Sequence, residues 1–257
     1  MIEAKDITFL IPVRIDTIER LENLMCSIEN LHTHFISNIS VLEASGYNNH
    51  IIESLTGDKI QYTFIEDHNP IFYRTRYLNI MITYSKTPYI AIWDADVIVP
   101  YTQIYNALLA LRSNKYQVAF PFNGSFFETT ELIRHIFLKN RDLKILTNNT
   151  NKMLLPYGSS ANGGAIFINK DAYVKAGLEN EHFYGWAPED VERKERLEKL
   201  VGRAYRSQGP LFHLTHPRNL NSSYRSDLQK QEGLFLLEQT RFSSARELNQ
   251  SINNIQK

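Results

Sequence analysis

Cysteine is almost missing from this sequence: Cys26 is the only one in 257 residues. A lone thiol forms no internal disulfide, so a reducing, cytoplasmic setting is expected and the fold must rest on its core. Net charge is missing as well. Lys plus Arg and Asp plus Glu each count 28, which leaves no general electrostatic pull toward nucleic acid or an acidic membrane. No nucleic-acid partner is expected. Long apolar runs are lacking too. The run from Ile7 to Val13 is too short for a signal-peptide core with its cleavage site, and far too short to cross a bilayer. It reads as a buried first strand in a soluble protein, with peripheral attachment at the inner face of a membrane left open. Internal repeats and low-complexity tracts are also absent.

What is present is enough apolar residue for a sizeable core, 43% of the chain, and many rings, with 14 Tyr, 14 Phe and 2 Trp. Strand-like and helix-like segments alternate. Thr8 to Val13 is apolar and β-rich, and Thr17 to Leu31 has helical spacing through Ile18, Leu21, Leu24, Met25 and Ile28. Asn38–Glu43 and Lys59–Glu66 read as strands, Tyr73–Tyr84 as a helix, and the wholly apolar Tyr89–Trp93 as a central strand. This βαβ series predicts an α/β fold with a mainly parallel sheet flanked by helices. Beyond it, Thr102–Leu111 and Glu189–Leu200 read as helices, and Gln117–Phe122 and Ala165–Ile168 as strands. The polar stretch Thr147–Ser160 reads as a mobile loop. Asp227–Lys257 reads as an amphipathic helical tail. The expected organisation is one domain over 1–225 with a helical C-terminal appendage over 226–257.

The pair Asp94 and Asp96 follows the central strand directly. Open α/β sheets bind ligands beyond the carboxyl ends of their strands. Residues two apart on an extended chain point the same way, so both carboxylates are expected to converge on one divalent cation or its water shell. Such an ion would hold a diphosphate and neutralise the charge that builds as a bond breaks. An acidic loop without metal is the plain alternative. Aspartate-nucleophile phosphatases use a similar pair, but on the first strand.

The tripeptide Asp94-Ala95-Asp96 resembles the DxD signature of GT-A-fold glycosyltransferases, and four further segments fit the same pattern. Phe72 to Asn79 is similar to the nucleotide-side helix of galactosyltransferase-like and family-2 enzymes. Gly163-Gly164-Ala165 resembles their glycine pair, and Tyr184 to Asp190 resembles their WGxED motif. His213-Leu214-Thr215-His216 is similar to their late metal-binding segment. The likeness spans roughly residues 7 to 225. Two positions depart from it: Ala187 and Pro188 stand where glycines are common, and Asp16 where a basic residue is common.

The resemblance implies a GT-A, Rossmann-like fold and an inverting transfer of a hexose from a UDP-sugar. The acceptor would be a glycan or lipid-linked glycan, in surface polysaccharide synthesis, with Mn2+ or Mg2+ as cofactor. Pro12, Arg14, Phe72 and Arg74 would surround the nucleotide, with Glu43 near its base or ribose and Asp94, Ala95 and Gly164 also on the donor side. Arg14 and Arg74 suit a diphosphate as fork-shaped donors; structural ion pairs are their alternative. Asp96 would bind the metal, with His213 and His216 competing as the later ligand. Both can bind only if the chain turns between them. Asp190 would be the catalytic base, and Glu189 and Trp186 would bind the acceptor. Pro188-Glu189-Asp190 is also a good helix start, and Trp186 a candidate core residue. Two rival functions remain: a nucleotidyltransferase, and a sugar-binding protein without catalysis.

Overall fold

The structure is a computed structural model that describes residues 1–255; the last two residues of the expected tail, Gln256 and Lys257, lie outside it. Its first half builds four strands, β1 (Ile2–Val13), β2 (Phe35–Ser45), β3 (Gln61–Glu66) and β4 (Tyr89–Trp93), paired in parallel in the order β3-β2-β1-β4. From Ile7 onward every residue of β1 is buried, as expected of a parallel strand covered on both faces. The crossover helices Ile18–His34 and Arg74–Tyr84 supply that cover. Thr17 starts the first of them by accepting from the Arg20 N–H at 3.3 Å, a cap worth about 1 kcal/mol.

The second half adds short strands: β5 (Val97–Ile98), β6 (Val118–Phe120), β7 (Phe126–Glu128), β8 (Ala165–Asn169), β9 (Tyr205–Arg206) and β10 (Leu211–His213). β8 enters antiparallel between β4 and β6, and β9 closes the seven-stranded sheet in the order β3-β2-β1-β4-β8-β6-β9. β4 therefore lies at the centre, as expected. Trp93, at its end, is fully buried, meets Phe9 and Phe167 edge-on, and donates to the Ser27 hydroxyl at 3.1 Å. A small second sheet, β5-β10-β7, stands just beyond the end of β4.

Three expectations change. Asp94-Ala95-Asp96 is a turn and not extended chain: the Asp94 N–H donates to the Gly164 carbonyl, and the Val97 N–H reaches back to that of Asp94. Thr147–Ser160 is tied into the fold by a short 3-10 turn, Thr150–Lys152, and by two backbone bonds between Leu154 and Glu128 at 2.9 and 3.1 Å. The tail is two helices, Asp227–Phe242 and Ala245–Ile255, laid on the helix Glu189–Val201. Lys199 donates to the carbonyls of Thr240, Arg241 and Ser243, which the end of the first tail helix leaves unpaired, and Thr240 donates to the buried Glu192. Among the described residues, no helix is long and apolar enough to cross a membrane.

Candidate active site

A cleft of about 480 Å³ opens at the carboxyl ends of β1 and β4. The turn after β4, the glycine pair before β8, the start of the helix Glu189–Val201 and the end of β10 all face it. Pro12, Arg14, Phe72, Arg74, Asp94, Ala95, Asp96, Gly164, Trp186, Glu189, Asp190, His213 and His216 line it together. Glu43 does not. It sits beside Val13 at the end of β2, buried, where it accepts from the Tyr62 hydroxyl at 2.7 Å, and burial raises its carboxyl above the ordinary value.

The turn sends the two aspartates different ways. Asp96 faces the histidines: His216 Nε2 lies 3.1 Å from its Oδ2 and His213 Nε2 3.5 Å. His213 ends β10, the chain turns at Leu214, whose N–H donates to the Asp96 carbonyl, and the His216 ring comes back to the same carboxylate. The turn required for both histidines to meet one aspartate is thus present. Burial alone would raise the Asp96 carboxyl, but His213 and His216 hold it well below the usual carboxylate range. Burial lowers His213 in turn, and Asp96 more than reverses this.

This trio fits a divalent cation. One carboxylate oxygen and two imidazole nitrogens lie within 4.8 Å of one another. His216 Nδ1 is 2.9 Å from the Pro217 carbonyl, and a proton placed there leaves Nε2 free to ligate. His213 Nδ1 is buried with no partner, so the protein alone leaves that ring incompletely satisfied. Two imidazoles suit a transition ion such as Mn2+ better than Mg2+.

Asp94 turns instead to Arg74, which donates to it at 2.6 Å. The other terminal nitrogen of Arg74 lies 3.6 Å from Glu189 and 3.5 Å from Asp190. Arg193 then takes Asp190 Oδ1 at 2.7 Å and, from a fully buried position, pairs with Glu179 at 2.5 and 2.9 Å. Burial pushes the Asp190 carboxyl up, but Arg193 and Arg74 outweigh it and hold the group below its ordinary value, ionised at neutral pH. Glu189 gains less. Burial and the neighbouring Asp190 charge push its carboxyl up to about 8, and its Oε2 is buried without a partner. Gly163 makes the arrangement possible, since a Cβ there would lie 2.4 Å from Asp190 Oδ2.

Of the two arginines expected to grip a diphosphate, Arg14 is occupied by protein acceptors, while Arg74 donates to Asp94 and keeps its other terminal nitrogen buried without a hydrogen-bond partner. Arg14 donates to the carbonyls of Ala44 and Asn69 and to Asp67, and its guanidinium lies over the Phe72 ring. Arg74 gathers the three carboxylates. Trp186 is 38% exposed, which sets aside a core role. The cleft also takes in Arg20, Tyr157, Asn221 and Tyr224, which sequence reasoning missed. They stand in loops and at a helix end with no periodic pattern to mark them.

No protein-family model matches the sequence, and no curated protein matches it. A solved structure does: GalNAc-T7 with UDP, GalNAc and Mn2+ superposes with a TM-score of 0.60 at 10% identity, over 90% of this chain. The chain has a GT-A-type fold. It spans about half the length of that neighbour, 47%. The turn that follows the central strand divides its two aspartates: Asp96 joins His213 and His216 in a group that could hold a metal ion, while Asp94 is held by Arg74.

Proposed function

We propose that the protein is a metal-dependent glycosyltransferase that moves a hexose from a UDP-sugar to a hydroxyl of a glycan or lipid-linked glycan. One observation carries this reading: the Asp96–His213–His216 trio opens onto the same cleft as Asp190, Glu189 and Trp186. The fold-level likeness to a transferase solved with UDP, GalNAc and Mn2+ supports it. The finer likeness, to family-2 and galactosyltransferase-type enzymes with a WGxED segment, rests on the order of motifs along the chain.

Asp96, His213 and His216 would hold the cation, which when bound stabilises negative charge on the departing diphosphate. Pro12 and Phe72 line the nucleotide side, and Arg14 keeps that wall in place through Asp67 and Asn69. Asp190, kept ionised by Arg193 and Arg74, takes the proton of the acceptor hydroxyl as its oxygen attacks the anomeric carbon. The bond from that carbon to the diphosphate breaks on the opposite face, so configuration inverts and UDP leaves. Glu189 offers its unpartnered oxygen to acceptor hydroxyls, and Trp186 a flat apolar face to a sugar ring. The test is incubation with a panel of UDP-hexoses, glycan acceptors and Mn2+, with the products identified. UDP and a β-type linkage from an α-donor support the proposal. Pyrophosphate would indicate nucleotidyl transfer instead, and glycan binding without turnover a sugar-binding protein.

A further inference from the structure

The stretch between β10 and the first tail helix walls one side of the cleft through Arg218, Asn221, Ser222 and Tyr224. Asn221 fixes it to the nucleotide side by accepting from the Phe72 N–H at 2.8 Å and donating to the Pro70 carbonyl. At its other end Tyr224 meets Trp186 edge to face, with centroids 4.6 Å apart and planes at 83°. Both rings line the cleft, so they form a right-angled aromatic corner open to it. Glu189 is close by: after burial, its charge is what raises the Tyr224 phenol.

The tail holds this corner in shape. Gln229 donates through one amide nitrogen to the carbonyls of Tyr184 and Trp186, at 3.1 and 2.8 Å, and accepts from the Arg225 N–H at 3.0 Å. The Arg225 guanidinium lies over the Tyr184 ring, 4.9 Å from its centroid. Gly233 lets the helix press against the loop, because a Cβ there would come within 3.2 Å of Pro188. The helix the sequence suggested as an appendage thus contacts the loop on both sides of Trp186.

An aromatic face beside carboxylates suits a ring that has an apolar C–H face and hydroxyl edges, which describes a pyranose and not a lipid tail. We propose that Trp186 and Tyr224 together form the acceptor subsite and that it takes a pyranose ring, with Gln229 as its positioning residue. This deepens the transferase reading, on which its role as acceptor site rests.

The chain has two tryptophans, and Trp93 is fully buried, so a sugar in the corner changes the emission of Trp186 alone. The experiment titrates the full chain with methyl hexopyranosides of glucose, galactose and their N-acetylamino forms. A saturable emission change is expected with at least one of them. Tyr224→Ala raises its Kd roughly tenfold and Tyr224→Phe restores it, while the KM for the UDP-sugar moves by less than about twofold. Gln229→Glu, which loses the two donated bonds but keeps both rings, raises the same Kd. No emission change with any pyranoside, or a wild-type Kd in Tyr224→Ala, overturns the proposal. Sugar binding at the corner without UDP release from any donor keeps the subsite and removes the transferase reading.

Discussion

Arg74 donates to Asp94 at 2.6 Å and so fastens the helix Arg74–Tyr84 to the turn at the end of the central strand. Because the same guanidinium faces Glu189 and Asp190, its removal leaves three carboxylates in one cleft without their shared cation. Arg74→Met is expected to lower stability by about 3 kcal/mol in urea unfolding. Loss of less than about 0.5 kcal/mol would show that solvent, not Arg74, balances the cluster.

Asp190 can be separated from the binding steps. In Asp190→Asn the side chain keeps its shape and Arg193 keeps Glu179, so donor and Mn2+ affinity should stay near those of the wild type. Transfer should fall by about a hundredfold or more. Near-normal turnover would take Asp190 out of the chemistry.

Glu189 makes stability depend on pH. Its carboxyl sits at about 8 in the folded protein against an ordinary 4.5. Below 4.5 both states hold the proton and the contribution is complete. Between 4.5 and 8 the folded state binds more protons than the unfolded one, so stability falls as pH rises. Glu189→Gln removes this loss. Its stability curve from pH 5 to 8 should be flatter than that of the wild type, and parallel curves would contradict the assignment.

Cys26 is buried, and burial pushes its thiol up to about 11. The native protein should therefore resist iodoacetamide at pH 8 and react only when unfolded in urea. Rapid labelling of the native chain would show that this part of the core opens readily.

Much of this was legible in the sequence because it rests on local pattern. The apolar run ending at Trp93 marks a strand covered on both faces, and Asp94 and Asp96 directly after it mark where the cleft opens. The motif order also brought Asp96, Asp190 and His213 to one cleft before any coordinates. Other features had no local signal. β5, β7 and β10, of two or three residues each, are too short for periodicity, yet they carry His213 to Asp96. The partners of Arg14 are two carbonyls and Asp67, and no pattern in the sequence ties these to it. Ile18 fits the helical stripe but is 62% exposed, because it opens the helix beyond the edge of the core. Tyr224 reaches the cleft, and Gln229 the carbonyls of Tyr184 and Trp186, only through the docking of the tail.

The most direct test of the account is UDP release from UDP-hexoses with a glycan acceptor and Mn2+, measured with and without chelator and in Asp96→Ala. The account predicts release by the wild type that stops in chelator, returns with Mn2+, and is lost in Asp96→Ala. Full-rate release in chelator, or no release from any UDP-hexose, would contradict it.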